Sequence, residues 1–274
     1  MSFESTKLRC CSLKTGDGIA VFEMLKPESR NAFNPDMKAD HLELVARVRG
    51  DRSIRSVVIA GSGGAFCAGG DLKALTSNRD ADGQPIRDVA ASRVRLRDTH
   101  AWFEQLFNLE VPVIAAVDGA AFGAGFSLAL AADFIVASPR ASFCMAFNRI
   151  GAIPDLAALY MLPRMIGLRK AKDIMMTARV VGCEEAHALG IVHSVHPAEG
   201  LLDVAIGMAK NFAQGSVDAL AFTKVYANQS LESDYATMAR LEAHAQAMCL
   251  NSDYFFDAVE RFVDRKPARF VWNG

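Results

Sequence analysis

Asp155 is the only acidic residue between Asp133 and Asp173, in a stretch that is otherwise apolar apart from a few basic and small polar positions. A carboxylate so placed has two readings. It can cap a helix, because "IPDLAALYML" sets an Asp ahead of an apolar periodic run. It can instead carry a proton from one carbon to another, with Phe147, Ile153, Leu156 and Leu159 as apolar neighbours that desolvate it and raise its pKa toward that of a working base.

A base that deprotonates carbon needs a partner that holds the charge left behind. Two glycine-rich turns could supply it: "GSGGAFCAGGDLKAL" (61–75) and "VDGAAFGAGFSLALAADF" (117–134). Each leads from a β-like run into a helical pattern, where exposed backbone N–H groups and the helix dipole can stabilise negative charge. The alternative for each turn is close packing of small residues. Neither is a phosphate-binding P-loop, since no Lys-Ser/Thr follows, and neither completes GxGxxG.

Other chemistry finds less support. His193 and His196 lie at a strand end and point to opposite faces, which argues against a metal site. Cys67 has no histidine near it in sequence and reads as a packed thiol. Ser127 lacks the GxSxG turn of hydrolases and reads as a pocket residue able to hold a water. The six cysteines, Cys10, Cys11, Cys67, Cys144, Cys183 and Cys249, form no CxxC pair and fit reduced thiols.

These residues must be positioned by a mixed α/β chain. Short runs "IAVFEM" (19–24), "SVVIAG" (56–61), "VPVIAAV" (111–117) and "FIVAS" (134–138) predict strands that alternate with helices. A helix is expected from Asn34, with Asn as cap and Pro in the first turn, to Gly50. "TSNRDADGQPIRD" reads as a mobile surface loop before a long helix ending near Asn108. Beyond Val195 the strand pattern stops, and 197–264 predicts amphipathic helices that pack on another surface. With 274 residues the chain can bury a core without staples, and 30 basic against 31 acidic residues give no general attraction for nucleic acid or an anionic membrane. No apolar run is long enough to cross a bilayer and the N-terminus has no signal-peptide core, so the expectation is a cytoplasmic protein.

"FCAGGDL" (66–72), "VIAAVDGAAFGAGFSLALAADFIVAS" (113–138), "FNRIGAIPD" (147–155), "LPRMIG" (162–167) and "AHALGIVHSV" (186–195) together resemble the enoyl-CoA hydratase/isomerase, or crotonase, superfamily. The match runs in order from "KPESRNAF" (26–33) to "RKPARF" (265–270). It implies an α/β spiral of repeated strand-strand-helix units over 1–196 and a C-terminal helical region, 197–274, that mediates assembly into a homo-trimer or a hexamer. It also implies an acyl-CoA thioester as substrate, with coenzyme A part of that substrate and no separate cofactor or metal.

By the same resemblance the thioester oxygen sits between the backbone amides of Ala68 and Ala124, and Gly69, Gly70, Asp71, Leu72, Gly123, Ser127 and Phe147 surround the substrate. Asp71 reads as a cap of the helix after the first turn. Lys26 and Arg30 match a segment near the ribose phosphate, and Arg265 and Lys266 match a basic pair able to reach a neighbouring subunit's ligand; each reads equally as a solvated surface charge. Hydratases of the superfamily carry two glutamates, which would fall at Ser127 and Phe147. A single-aspartate branch of isomerases instead has its carboxylate at Asp155. The expected activity is therefore a double-bond shift through an oxyanion-stabilised enolate; the alternatives are an enoyl-CoA hydratase and a non-catalytic CoA-thioester binding protein.

Overall fold

The computed structural model describes residues 3–77, 79–84 and 86–272, with only the backbone described at 74 and 75. Its first half runs β1 (Glu4–Lys7), β2 (Cys11–Gly16), β3 (Ile19–Met24), α1 (Pro35–Gly50), β4 (Ser56–Gly61), β5 (Ala65–Cys67), α2 (Leu72–Leu75), α3 (Val89–Phe107), β6 (Val113–Val117) and β7 (Ala120–Phe122). The chain continues through α4 (Ala124–Leu130), β8 (Phe134–Ala137), β9 (Ser142–Cys144), α5 (Ala158–Ile166), α6 (Leu168–Thr177), β10 (Val180–Gly182), α7 (Cys183–Ala188) and β11 (Ser194–Val195). Four helices complete it: α8 (Leu201–Phe212), α9 (Val217–Gln229), α10 (Tyr235–Leu250) and α11 (Asp253–Val263).

The strands form two sheets, ordered β1-β2-β3-β4-β6-β8-β11 and β10-β9-β7-β5. Successive units place one strand in each sheet and then a helix: β4, β5 and α2; β6, β7 and α4; β8, β9 and α5. This is the spiral of strand-strand-helix units that the resemblance implied. Alternation along the strands serves both faces of the larger sheet. Ala20, Phe22, Met24, Val57 and Ile59 point into the core shared with the smaller sheet and α1, while Ile19, Val21, Val58 and Ala60 meet Leu201, Ala205, Met208 and Phe212 of α8.

Local signals explain several boundaries. Asn34 accepts the Met37 amide at 2.8 Å and Pro35 opens α1, while Asp88 accepts the Ala91 amide at 2.8 Å to start α3. The loop 76–88 precedes α3 as expected, although residues 78 and 85 fall outside the described residues. The C-terminal helices begin after β11, but α8 belongs to the sheet core and α9 is tied there by charge. Lys224 on α9, nearly buried, pairs with Asp133 at 2.8 Å and donates to the Val111 carbonyl at 3.1 Å. Asp133 also accepts the Val113 amide at 2.8 Å. No helix among the described residues is long and apolar enough to cross a membrane.

Candidate active site

β5 and β7 are parallel neighbours, so the two glycine-rich turns leave the same end of the smaller sheet side by side. Their backbones touch. Gly69 has φ +99°, and a Cβ there would stand 2.8 Å from the Phe122 carbonyl oxygen and 3.7 Å from the Ala124 nitrogen. A Cβ on Gly125 would run into the Cys67 carbonyl.

The hydrogen bonds decide which amides face the gap. The Ala68 amide donates to the Arg30 carbonyl at 2.9 Å, so the expectation that it holds a ligand oxygen is corrected: that donor is already engaged. One turn further, Phe33 donates to the Gly69 carbonyl at 2.7 Å and Asp71 to the Phe33 carbonyl at 3.0 Å. This parallel bridge between Phe33 and Gly70 leaves the Gly70 amide unused. Ala124 is the first residue of α4, where helix geometry gives its N–H no internal partner. Among the described residues neither the Gly70 nor the Ala124 amide donates to protein. The pair of backbone donors available on facing turns is therefore Gly70 and Ala124.

Asp155 lies beside α4, where its backbone carbonyl accepts the Ser127 hydroxyl at 3.0 Å. Its helix-cap reading fails, because α5 begins at Ala158 after Ala157 and no side chain caps it. Leu156 and Ala157 instead take left-handed conformations, φ +47° and +56°, with Leu156 inserted into the core. The carboxylate Oδ1 is buried and has no hydrogen-bond partner. Burial raises its pKa above the usual carboxylate value, and the charge of His100 on α3 pulls it in the opposite direction. Ile153 and Leu159, expected to desolvate it, are exposed at 74% and 53%, which corrects that part of the reading.

Ser127 is also reassigned. Its fully buried hydroxyl donates to the Asp155 carbonyl oxygen at 3.0 Å, so it holds the loop rather than a water in a pocket. The Phe147 ring lies against Gly123, 3.8 Å from where a Cβ would stand, which brings it beside the second turn. Asp71 accepts the Lys73 amide at 3.0 Å at the start of α2, and Leu72 is half exposed beside it. Cys67 is buried behind the first turn, with its thiol pushed up to about 11 by burial.

Lys26 and Arg30 are brought to the first turn through Asn31, which the sequence reading missed. Asn31 is fully buried at φ +55°; its Oδ1 accepts the Lys26 amide at 2.9 Å, and its Nδ2 donates to Ser62 at 3.0 Å and Ala65 at 2.8 Å. An Asn beside Arg in "SRNAF" was the available signal, since Asn tolerates left-handed turns. Arg265 and Lys266 follow α11 away from the turns in sequence; Lys266 pairs with Asp264 at 2.9 Å and its amide donates to the Arg261 carbonyl at 2.8 Å. His193 packs on Phe134 while His196 meets Ser194 at 2.9 Å, so the two imidazoles serve different contacts. Cys10 and Cys11 do converge with Asp40, whose carboxylate accepts the Cys10 amide at 2.8 Å and pairs with Arg9 at 3.3 Å, tying β2 to α1.

A two-sheet spiral with paired backbone donors and a buried carboxylate defines a crotonase-fold protein. The profile of the enoyl-CoA hydratase/isomerase family matches residues 14–273. A crystal structure of an enoyl-CoA hydratase/isomerase from Cupriavidus metallidurans CH34 superposes with a TM-score of 0.90 at 39% identity, covering 97% of each chain. A probable enoyl-CoA hydratase of Rhodobacter capsulatus is 33% identical, covering 93% of this chain and 95% of its own. The 1,2-epoxyphenylacetyl-CoA isomerase of Escherichia coli is 32% identical over 93% of this chain and 95% of its own. The chain belongs to the enoyl-CoA hydratase/isomerase family, whose members act on acyl-CoA thioesters.

Proposed function

We propose that the protein is an enoyl-CoA isomerase that moves a carbon–carbon double bond by carrying one proton on Asp155. The observation that carries this reading is the buried Asp155 Oδ1 without a partner, on a chain with Ser127 and Phe147 where hydratases keep glutamates. The Gly70 and Ala124 amides hold the thioester oxygen as negative charge develops there. Removing one such donor typically costs about 3 kcal/mol of barrier. Asp155 takes a proton from one carbon, becoming neutral while the enolate forms, and returns it to another carbon as the double bond relocates. A carboxyl whose neutral form is favoured by burial suits that exchange.

In this reading coenzyme A enters as part of the substrate, Lys26 and Arg30 bind its phosphates, and no further cofactor is invoked. Assembly as a trimer or hexamer fits the apolar side chains that α11 leaves exposed, with Phe262 at 85% and Val263 at 72%; mass from light scattering tests it. In that assembly Arg265 and Lys266 would reach a neighbouring ligand.

Hydration is the second reading, favoured by the hydratase names of several relatives. Parallel assays of 3-enoyl-CoA and 2-enoyl-CoA separate the two. Isomerisation lost in Asp155→Asn supports the proposal; water addition that survives the substitution overturns it.

A further inference from the structure

Gly70 has no side chain to anchor it, so the direction of its amide has to be set through its backbone neighbours. The Gly70 N–H and the Gly69 carbonyl belong to one planar trans peptide and point in opposite directions. Phe33 donates its amide to that carbonyl at 2.7 Å, and the Phe33 carbonyl accepts the Asp71 amide at 3.0 Å. A rotation of the Gly69–Gly70 peptide, which would swing the N–H, breaks the first of these bonds. Phe33 is therefore the clamp on the donor.

Two asparagines fix the chain on either side of Phe33. Asn31 is bonded to the Ser62 and Ala65 carbonyls, and Asn34 caps α1 through the Met37 amide. Between them the half-buried Phe33 ring stacks on Trp102 of α3, with centroids 5.4 Å apart and planes 9° from parallel. His41 of α1 lies 5.4 Å from Phe33 and 5.7 Å from Trp102, and Phe103 meets Trp102 edge-on at 5.6 Å. Burial pushes the His41 imidazole down to about 4, so near neutrality it is an uncharged packing ring. Trp102 is only 2% exposed, and close packing leaves its indole little room to tilt away from Phe33. Such aromatic pairs contribute beyond the area they bury.

We propose that Trp102 is a positioning residue for the Gly70 amide, acting through its stack on Phe33 and the hydrogen bond from Phe33 to Gly69. It touches no substrate atom in this scheme. The indole fixes where the Phe33 backbone lies along the first turn, and the shared peptide plane carries that position to the donor. The catalytic consequence rests on the reading of Gly70 as a donor to the thioester oxygen. The arrangement ties α3, an element outside both glycine-rich turns, to the amide on the first of them.

The test compares Trp102→Leu, Trp102→Phe, Phe33→Leu and the double variant Phe33→Leu/Trp102→Leu in the full chain. Phe212→Leu, in the aromatic cluster on the other face of the larger sheet, is the packing control. Difference infrared spectra of a bound saturated acyl-CoA, labelled with 13C at the thioester carbonyl, read the donor directly; kcat and KM are measured with a 3-enoyl-CoA. In either single Leu variant the downshift of the carbonyl band shrinks and KM stays nearly constant. There kcat falls roughly tenfold, a part of the loss of about 10²–10³ expected when such a donor is removed entirely. Trp102→Phe keeps a flat ring and recovers most of both readouts, and the double variant falls no further than the singles, because each removes the same stack. Phe212→Leu leaves the band in place at a comparable loss of melting temperature. If Trp102→Leu does not fold, Phe33→Leu breaks the stack from its half-buried side and decides alone. A wild-type band position in the Leu variants, an equal loss in Phe212→Leu, no recovery in Trp102→Phe, or additive losses in the double variant overturn the proposal. No band shift in the wild type removes the Gly70 donor reading and the proposal together, a result distinct from a shift that survives loss of the stack.

Discussion

The hydroxyl of Ser127 donates to the backbone carbonyl of Asp155 at 3.0 Å from a fully buried position on α4. The same short helix begins with Ala124, so one element sets both the Ala124 amide and the loop bearing Asp155. Ser127→Ala removes the hydrogen bond with little change in volume. The expected outcome is a stability loss of about 1 kcal/mol, read by urea unfolding, and a fall in kcat with KM nearly constant. A drop in KM affinity with kcat intact would show that the hydroxyl contacts substrate instead.

Asp155→Asn lowers turnover by about 10²–10⁴, the range for loss of a general base, while the fold persists. Stability should change in the opposite sense. Burial raises the folded-state pKa of Asp155 above the ordinary 3.8, so the folded protein binds its proton more tightly than the unfolded chain. The wild type therefore loses stability as pH climbs from about that ordinary value through the raised one. Asn removes this loss, so melting curves of variant and wild type converge in acid and the variant is the more stable near neutrality.

Gly125→Ala inserts a methyl group into the Cys67 carbonyl across the two turns. Backbone cannot yield as a side-chain tip does, and overpacking of this kind costs about 1–3 kcal/mol. Because the displaced segments carry the Gly70 and Ala124 amides, kcat should fall more than the melting temperature alone suggests. Residual activity measured well below the melting transition checks this.

Lys224→Met removes a nearly buried cation from the partly accessible Asp133, and losing this charged hydrogen bond should cost about 1.5–3 kcal/mol, less than breaking a fully buried pair. Urea denaturation should show the loss, and Asp133→Asn combined with Lys224→Met should recover part of it. Full additivity of the two substitutions would indicate that the pair contributes nothing as a pair.

The spiral was legible in the chain because its signals are local. "IAVFEM" and "SVVIAG" coincide with β3 and β4 residue for residue, and the Asn34 cap and Gly50 end delimit α1. The pairing of two glycine turns was also legible, as each follows a strand. What escaped were relations set by tertiary hydrogen bonds. The resemblance implies Ala68 as a donor, and nothing in "FCAGGDL" reveals that the Arg30 carbonyl, far back in sequence, returns to claim its amide. The Ser127 hydroxyl is likewise claimed by a carbonyl remote in sequence. Asp155 as a cap followed from propensity, which the left-handed turn at Leu156 and Ala157 overrides.

Two successive non-glycine residues held at positive φ each cost on the order of 1–3 kcal/mol, and Leu156 is one of them, sealed within the central packing. Closing the interior and cocking the aspartate are thus a single event. A partly loosened molecule would relax this kink first, so heat or denaturant should extinguish turnover in step with the first opening of the interior around α5.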